Sequence, residues 1–177
     1  MVDDAGRDVV PGSGQVGRLA VSGLIPIGYY GDEAKTAETF LTIDGRVHVV
    51  AGDRAEVLAD DTIRLLGRGS LCINTGGEKV FPEEVEEVLK THDLIRDAVA
   101  VGVPDDKFGE AITAVVELAP DAELDEADVI AHVKANLASF KAPKRVLPVD
   151  TIGRAPNGKV DYKRLRRFAE DTLGTGA

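Results

Sequence analysis

The stretch LCINTGGEKVFPEEVEEVLKTHDLIRDAVAVGV, residues 71–103, changes its hydrophobic pattern twice. The Gly-Gly pair at 76–77 separates two short extended runs, which predicts a hairpin over 71–81. Pro82 then suits a first helical position, and acids crowd the turn after it. Val85, Val88 and Leu89 fall on one face of a helix over 82–92. "IRDAVAVGV" (95–103) is almost continuously apolar and predicts a buried strand.

The same reading extends toward the C-terminus. "AITAVVEL" (111–118) is a second buried strand. "DEADVIAHVKANL" (125–137) is a helix capped by Asp125, with Val129, Ile130, Val133 and Leu137 inward. "KRVLPVD" (144–150) is a strand that Pro148 confines to an edge or a strand end. Asp161 caps a last helix with Leu165 and Phe168 on one side. The order is hairpin, helix, strand, strand, helix, strand, loop, helix, which is an α+β domain over 71–177 with helices against a small sheet. The glycine-rich stretch at 67–70 suits a hinge at 68–70.

Residues 1–67 read differently. "VGRLAVSG" (16–23), "DGRVHVV" (44–50) and "RAEVLADDTIRLLG" (54–67) are strand and turn, with a short helix over 32–40 capped by Asp32. Their apolar faces are modest, so these strands are not expected to close a sheet alone. Their open edges leave pairing with further protein, or with a second copy in a homodimer, as the expectation.

The net charge of −10 argues against a broad nucleic-acid face. Lys159, Lys163, Arg164, Arg166 and Arg167 do bunch together, as a phosphate-facing patch or, preferably, the solvated face of the last helix. The single cysteine, Cys72, excludes an intrachain disulfide. His48, His92 and His132 are widely separated, with no metal-ligand spacing. No apolar run approaches a membrane span and the N-terminus is acidic, so the chain reads as cytoplasmic and soluble.

"GSGQVG" (12–17) satisfies G-x-G-x-x-G but leads into a strand, so the dinucleotide reading fails its context. Asp53, at a turn entering a strand, is either a turn aspartate or a carboxylate accepting hydrogen bonds from ribose hydroxyls. Arg68, just past a strand, is either a surface ion pair or a ribose or phosphate ligand. Gly76 and Gly77 allow close approach of backbone to a ligand, with Glu78 beside them; a plain hairpin would usually need only one glycine. Lys159 follows a Pro-Asn-Gly turn and by itself reads as a solvated lysine.

Taken in order, "GYYGDEAKTAETF", "GD" (52–53), "GR" (67–68), "TGGEKVFPEEVE", "VGVPDDKFGE", "FKAP" and "PNGK" resemble the C-terminal third of the adenylate-forming family. That family includes acyl-CoA synthetases, luciferases and the adenylation domains of peptide synthetases. The resemblance runs from about residue 14 to 170. It implies that residues 1–67 are the last β-barrel-like piece of a large N-terminal domain and that 71–177 are its C-terminal lid. The family's phosphate loop, adenine-contacting motif, magnesium-binding glutamate and acyl pocket have no counterpart here. The chain is therefore expected to be inactive without an N-terminal partner domain, which would hold the Mg2+.

The implied reaction joins a carboxylate to ATP and then passes the acyl group to coenzyme A. In that scheme Lys159 is the catalytic lysine, and Asp53 and Arg68 are the ribose-binding pair. Thr75, Gly76, Gly77 and Glu78 line the pantetheine tunnel, and Lys141 lies near coenzyme A. The family usually has Asp at the hinge position, where this chain has Leu71, and many relatives have lysine where it has Asn74. The segment 67–86 looks most like actinobacterial fatty-acid or sterol-side-chain CoA ligases. The absence of a carrier domain and the ending "GTGA" agree with a free-standing ligase. A fatty or sterol-derived acid is then the expected substrate. The alternatives are a non-catalytic binding module with the lid fold, or a peptide-synthetase adenylation segment.

Overall fold

The computed structural model describes residues 1–175; Gly176 and Ala177, the end of the GTGA tail, lie outside the described residues. The chain divides into two compact units on either side of the Ser70–Leu71 bond.

In the first unit, β1 (Val16–Arg18) is followed by α1 (Glu33–Thr39), β2 (Phe40–Ile43), β3 (Arg46–Val49), β4 (Asp53–Val57) and β5 (Ile63–Arg68). β1, β4 and β5 form an open antiparallel sheet with β4 central. Asp32 caps α1 by accepting from the Lys35 amide at 2.9 Å. Phe40–Ile43 forms a strand that the sequence reading merged into the helix and the connection after it. Asp44 and Gly45 both have positive φ, 48° and 74°, the left-handed pair of a tight hairpin turn, so β3 requires β2 as its partner. The unit buries few apolar residues, among them Val2, Val9, Val50, Ala55 and Leu66, while Leu24, Ile27 and Tyr30 are fully exposed.

In the second unit, β6 (Ile73–Thr75) and β7 (Glu78–Val80) form a hairpin that leads into α2 (Pro82–Leu89). β8 (Ile95–Asp105) and β9 (Gly109–Leu118) follow, then α3 (Glu126–Asn136), β10 (Arg145–Val149) and α4 (Tyr162–Leu173). The five strands form one sheet. β8 pairs antiparallel with β9 from Ile95↔Leu118 to Asp105↔Gly109. β10 runs parallel to β9, and β6 meets β9 at Thr75↔Gly109. Pro148 thus sits in an edge strand, where its missing N–H breaks no central ladder.

The apolar run in β8 serves two cores. Ala98 and Ala100 pack with Val85, Leu89, Val129 and Val133 of α2 and α3. Val99, Val101 and Val103 point the other way, toward Leu165 and Ala169 of α4. A strand covered on both faces cannot show alternation, which is why 95–103 is almost continuously apolar. Each fully buried Leu or Val in these cores contributes about 2 kcal/mol from area removed from water.

Candidate functional site

Lys159 stands on the loop between β10 and α4. Asn157 and Gly158 make the turn before it: the Gly158 amide donates to the Ala155 carbonyl at 2.8 Å, with Gly158 at φ 78°. The Lys159 amide donates to Asn157 Oδ1 at 3.2 Å, and the Ala155 amide closes the loop onto the Lys159 carbonyl at 2.9 Å. The Lys159 side chain is exposed, and its ammonium has no hydrogen-bond or ion-pair partner among the described residues.

Asp53 and Arg68 are brought together. They are opposite partners in the β4–β5 ladder, and Arg68 Nε lies 3.5 Å from Asp53 Oδ1. Both side chains remain partly exposed. The hairpin residues are also together: Thr75 and Glu78 pair across the turn that Gly76 and Gly77 make. Gly76 has φ 61° and Gly77 φ 87°, so the turn itself requires both glycines. The expectation that one glycine would suffice for a plain hairpin is corrected by this geometry. The Gly76 amide is fixed by the Phe108 carbonyl at 2.8 Å. Thr75 is buried, whereas Gly77 and Glu78 are exposed.

Lys141 is already engaged: its ammonium pairs with Glu84 in the first turn of α2. The pair is sheltered, with about a fifth of each side chain exposed (22% and 20%). Two of the four basic residues of α4 are likewise used within the fold, while Lys163 and Arg167 are exposed. Arg164 donates to the Ile152 carbonyl, and Arg166 joins Glu110 at 2.9 Å and Glu170 at 2.8 Å. This agrees with a helix face rather than a row of phosphate ligands.

Sequence reading missed Glu86. Its side chain is buried in α2 and accepts from the Ala100 amide at 3.1 Å and from the Tyr162 hydroxyl at 3.0 Å. Burial, only partly offset by those hydrogen bonds, pushes its carboxyl up to about 7. Tyr162 is pushed up as well, by burial and by the Glu86 charge. A signal did exist: Pro82, Val85, Glu86 and Leu89 are the buried residues of α2 and follow the i, i+3, i+4, i+7 spacing of a core-facing stripe. Asp97 and Arg154 were also missed. Arg154 Nε and Nη2 donate to Asp97 at 2.6 and 2.8 Å, and this pairing holds the Asp97 carboxyl below its usual range.

His92 and His132, far apart in sequence, meet edge to face with ring centroids 5.0 Å apart. Among the described residues, no group of three or more His, Cys, Asp or Glu is placed to hold a metal ion. No helix among them is long and apolar enough to cross a membrane.

Residues 84–159 match the model of the AMP-binding enzyme C-terminal domain. Over 97% of its length the chain is 48% identical to the medium/long-chain-fatty-acid–CoA/3-oxocholest-4-en-26-oate–CoA ligase of Mycolicibacterium smegmatis, covering 31% of that protein. It is 47% identical to the 3-oxocholest-4-en-26-oate–CoA ligase of Rhodococcus rhodochrous, over 98% of this chain and 31% of that one. Among solved structures it resembles ATP-bound MatB from Rhodopseudomonas palustris, with a TM-score of 0.82 and 31% identity over 97% of this chain and 33% of that one. The chain thus spans about a third of the length of the curated relatives it matches. Residues 84–159 thus match the AMP-binding enzyme C-terminal domain, and nearly the whole chain is similar to about a third of proteins named as acyl-CoA ligases.

Proposed function

We propose that this chain serves an ATP-dependent acyl-CoA ligase as the part that delivers Lys159 to a pocket built by the rest of the protein. In the first step a carboxylate oxygen attacks the α-phosphorus of ATP. The bond to the β-phosphate breaks, and pyrophosphate leaves. Two anions must approach, so a positive charge at the joining oxygens stabilises the transition state. Lys159 supplies that charge. The observation that carries this reading is the state of its ammonium: exposed, without a partner among the described residues, on a turn closed by its own hydrogen bonds. A compact ammonium on a flexible stem suits a charge that must enter and leave.

In the second step the coenzyme A thiolate attacks the acyl carbon, the bond to AMP breaks, and AMP leaves. The hairpin Thr75-Gly76-Gly77-Glu78 is assigned to the pantetheine path, where exposed glycine backbone leaves room for a narrow ligand. Asp53 and Arg68, as adjacent cross-strand partners, are assigned to the ribose of ATP. Lys141 serves coenzyme A only if it exchanges Glu84 for the incoming phosphates. Residues 68–70 are assigned as the pivot between the two steps; Leu71 offers no polar contact there, so rotation relies on Gly69 and Ser70.

The names of the relatives support fatty or sterol-side-chain acids as substrates. ATP and coenzyme A would act as co-substrates, with Mg2+ held outside this chain, in the cytoplasm where both are supplied. Leu24, Ile27 and Tyr30 form an exposed apolar stretch suited to cover by the remainder of the protein.

The test is ATP–pyrophosphate exchange with a panel of fatty acids, sterol-derived acids and amino acids. The chain is assayed alone and then with the N-terminal portion of a ligase supplied in trans. The expected result is silence alone and exchange with acids in the second arm, falling about 100- to 1,000-fold in Lys159→Ala. Exchange by the chain alone, or undiminished exchange in the variant, would overturn the reading. Silence in both arms would favour a binding module, and a response to amino acids alone would favour a peptide-synthetase segment.

A further inference from the structure

The Lys159 turn is tied down on both sides. Five positions before it, Arg154 grips Asp97 of β8 with two parallel hydrogen bonds, at 2.6 and 2.8 Å. The remaining guanidinium nitrogen, Nη1, reaches the Gly158 carbonyl at 3.3 Å, one peptide bond from Lys159. Three positions after it, the Tyr162 hydroxyl donates to both Glu86 oxygens, at 3.0 and 3.2 Å. The two acceptors are themselves oriented by neighbouring β8 amides: Ala98 donates to Asp97 at 2.8 Å and Ala100 to Glu86 at 3.1 Å. β8 therefore reaches both ends of a surface turn, directly through Asp97 and by way of Glu86 on α2.

We propose that Arg154 and Tyr162 are positioning residues that clamp the Lys159 turn to β8 through Asp97 and Glu86. The proposal rests on the reading of Lys159 as the adenylating lysine and adds the device that aims it. Stability alone is a poor reason for the upstream arm. Its side chains are 34% and 19% exposed, and a partly solvated ion pair contributes little. What the planar guanidinium adds is direction: two bonds fix its plane and the third holds the carbonyl before Lys159. A lysine presented from a fixed turn has only its own side chain left to order when the reaction is assembled.

Two measurements test the clamp. In the first, a lysine-specific endoprotease is applied to the intact native chain. Cleavage after Lys159 is compared with cleavage after Lys134 in α3, which reports opening of the fold as a whole. Asp97→Asn and Tyr162→Phe, singly and together, are expected to speed cleavage at Lys159, by about tenfold in the double variant, with Lys134 unchanged. No change at Lys159, or an equal rise at both sites, would overturn the clamp.

In the second, the same variants are assayed with the N-terminal portion supplied. Acyl-adenylate formation is expected to fall about tenfold, while conversion of supplied acyl-adenylate and coenzyme A to thioester holds. Arg154→Lys, which keeps the charge and loses the fork, should fail to restore the first step. Equal loss in both half-reactions would overturn the aiming role. A wild-type protein with no adenylating activity would overturn the ligase reading of Lys159, and the ratio of the two cleavage rates would still decide whether the turn is clamped.

Discussion

Glu86 and Lys159 represent opposite uses of charge. Lys159 is held in water, its ammonium without a partner among the described residues. Glu86 is buried and accepts protons readily, its carboxyl raised from an ordinary 4.5 to about 7. Between those values the native state binds more protons than the unfolded chain, so this group makes stability fall as pH rises. Its contribution is fully present below the ordinary value, is lost by about pH 7, and amounts to on the order of 3 kcal/mol. Asp97 has the opposite sign: paired with Arg154 and held low, it adds stability that disappears as pH falls. Urea unfolding of wild type and Glu86→Gln from pH 5 to 8 separates the two. The variant is expected to gain on the wild type as pH rises; parallel curves would mean that Glu86 does not titrate in this range. Nothing in the composition of "EEVEEV" distinguishes this glutamate from its neighbours. Only its place in the helical stripe does, and that is visible once the stripe is counted through the acid instead of around it.

The hairpins, helices and strands of the second unit were largely legible because each carries its own local cause. Pro82 begins α2, Asp125 and Asp161 cap α3 and α4, and the apolar runs of β8 and β9 reflect cover on both faces. β2 was not legible as a strand from its own residues, because its cause lies beyond it in the Asp44-Gly45 turn. The β6–β7 turn gives a sharper test. Both glycines have positive φ, so Gly77→Ala should destabilise the second unit by about 1 kcal/mol. Gly76→Asn should cost less, since Asn tolerates the left-handed region. Chemical unfolding of the two variants measures this; equal, negligible losses would mean that the turn relaxes to another form.

Each of the two units carries its own contacts, but they are unequally provided for. Both large apolar clusters belong to residues after Ser70. Residues 71–177 expressed alone are therefore expected to fold, with dispersed amide resonances and a cooperative thermal transition. Residues 1–70 alone are expected to bind hydrophobic dyes through side chains such as Leu24 and Tyr30. A non-cooperative melt of the longer piece would show that the first unit is needed for its stability. The residues of the proposed site differ in how far the sequence alone displays them. Lys159 and the Asp53–Arg68 pair stand on short motifs, whereas Arg154 and Asp97 lie 57 positions apart, and no local pattern joins them. That separation has a consequence for the order of assembly. β8 and β9 are joined by a short connection and pair along almost their full length, so closing that loop costs little entropy and their contact is expected to form early. The Lys159 turn lies between the last strand and the last helix, and its holdfasts are on α2 and β8. A nascent or partly folded chain is thus expected to have the β8–β9 hairpin well before it has a placed Lys159, whose ammonium is among the last features to be positioned.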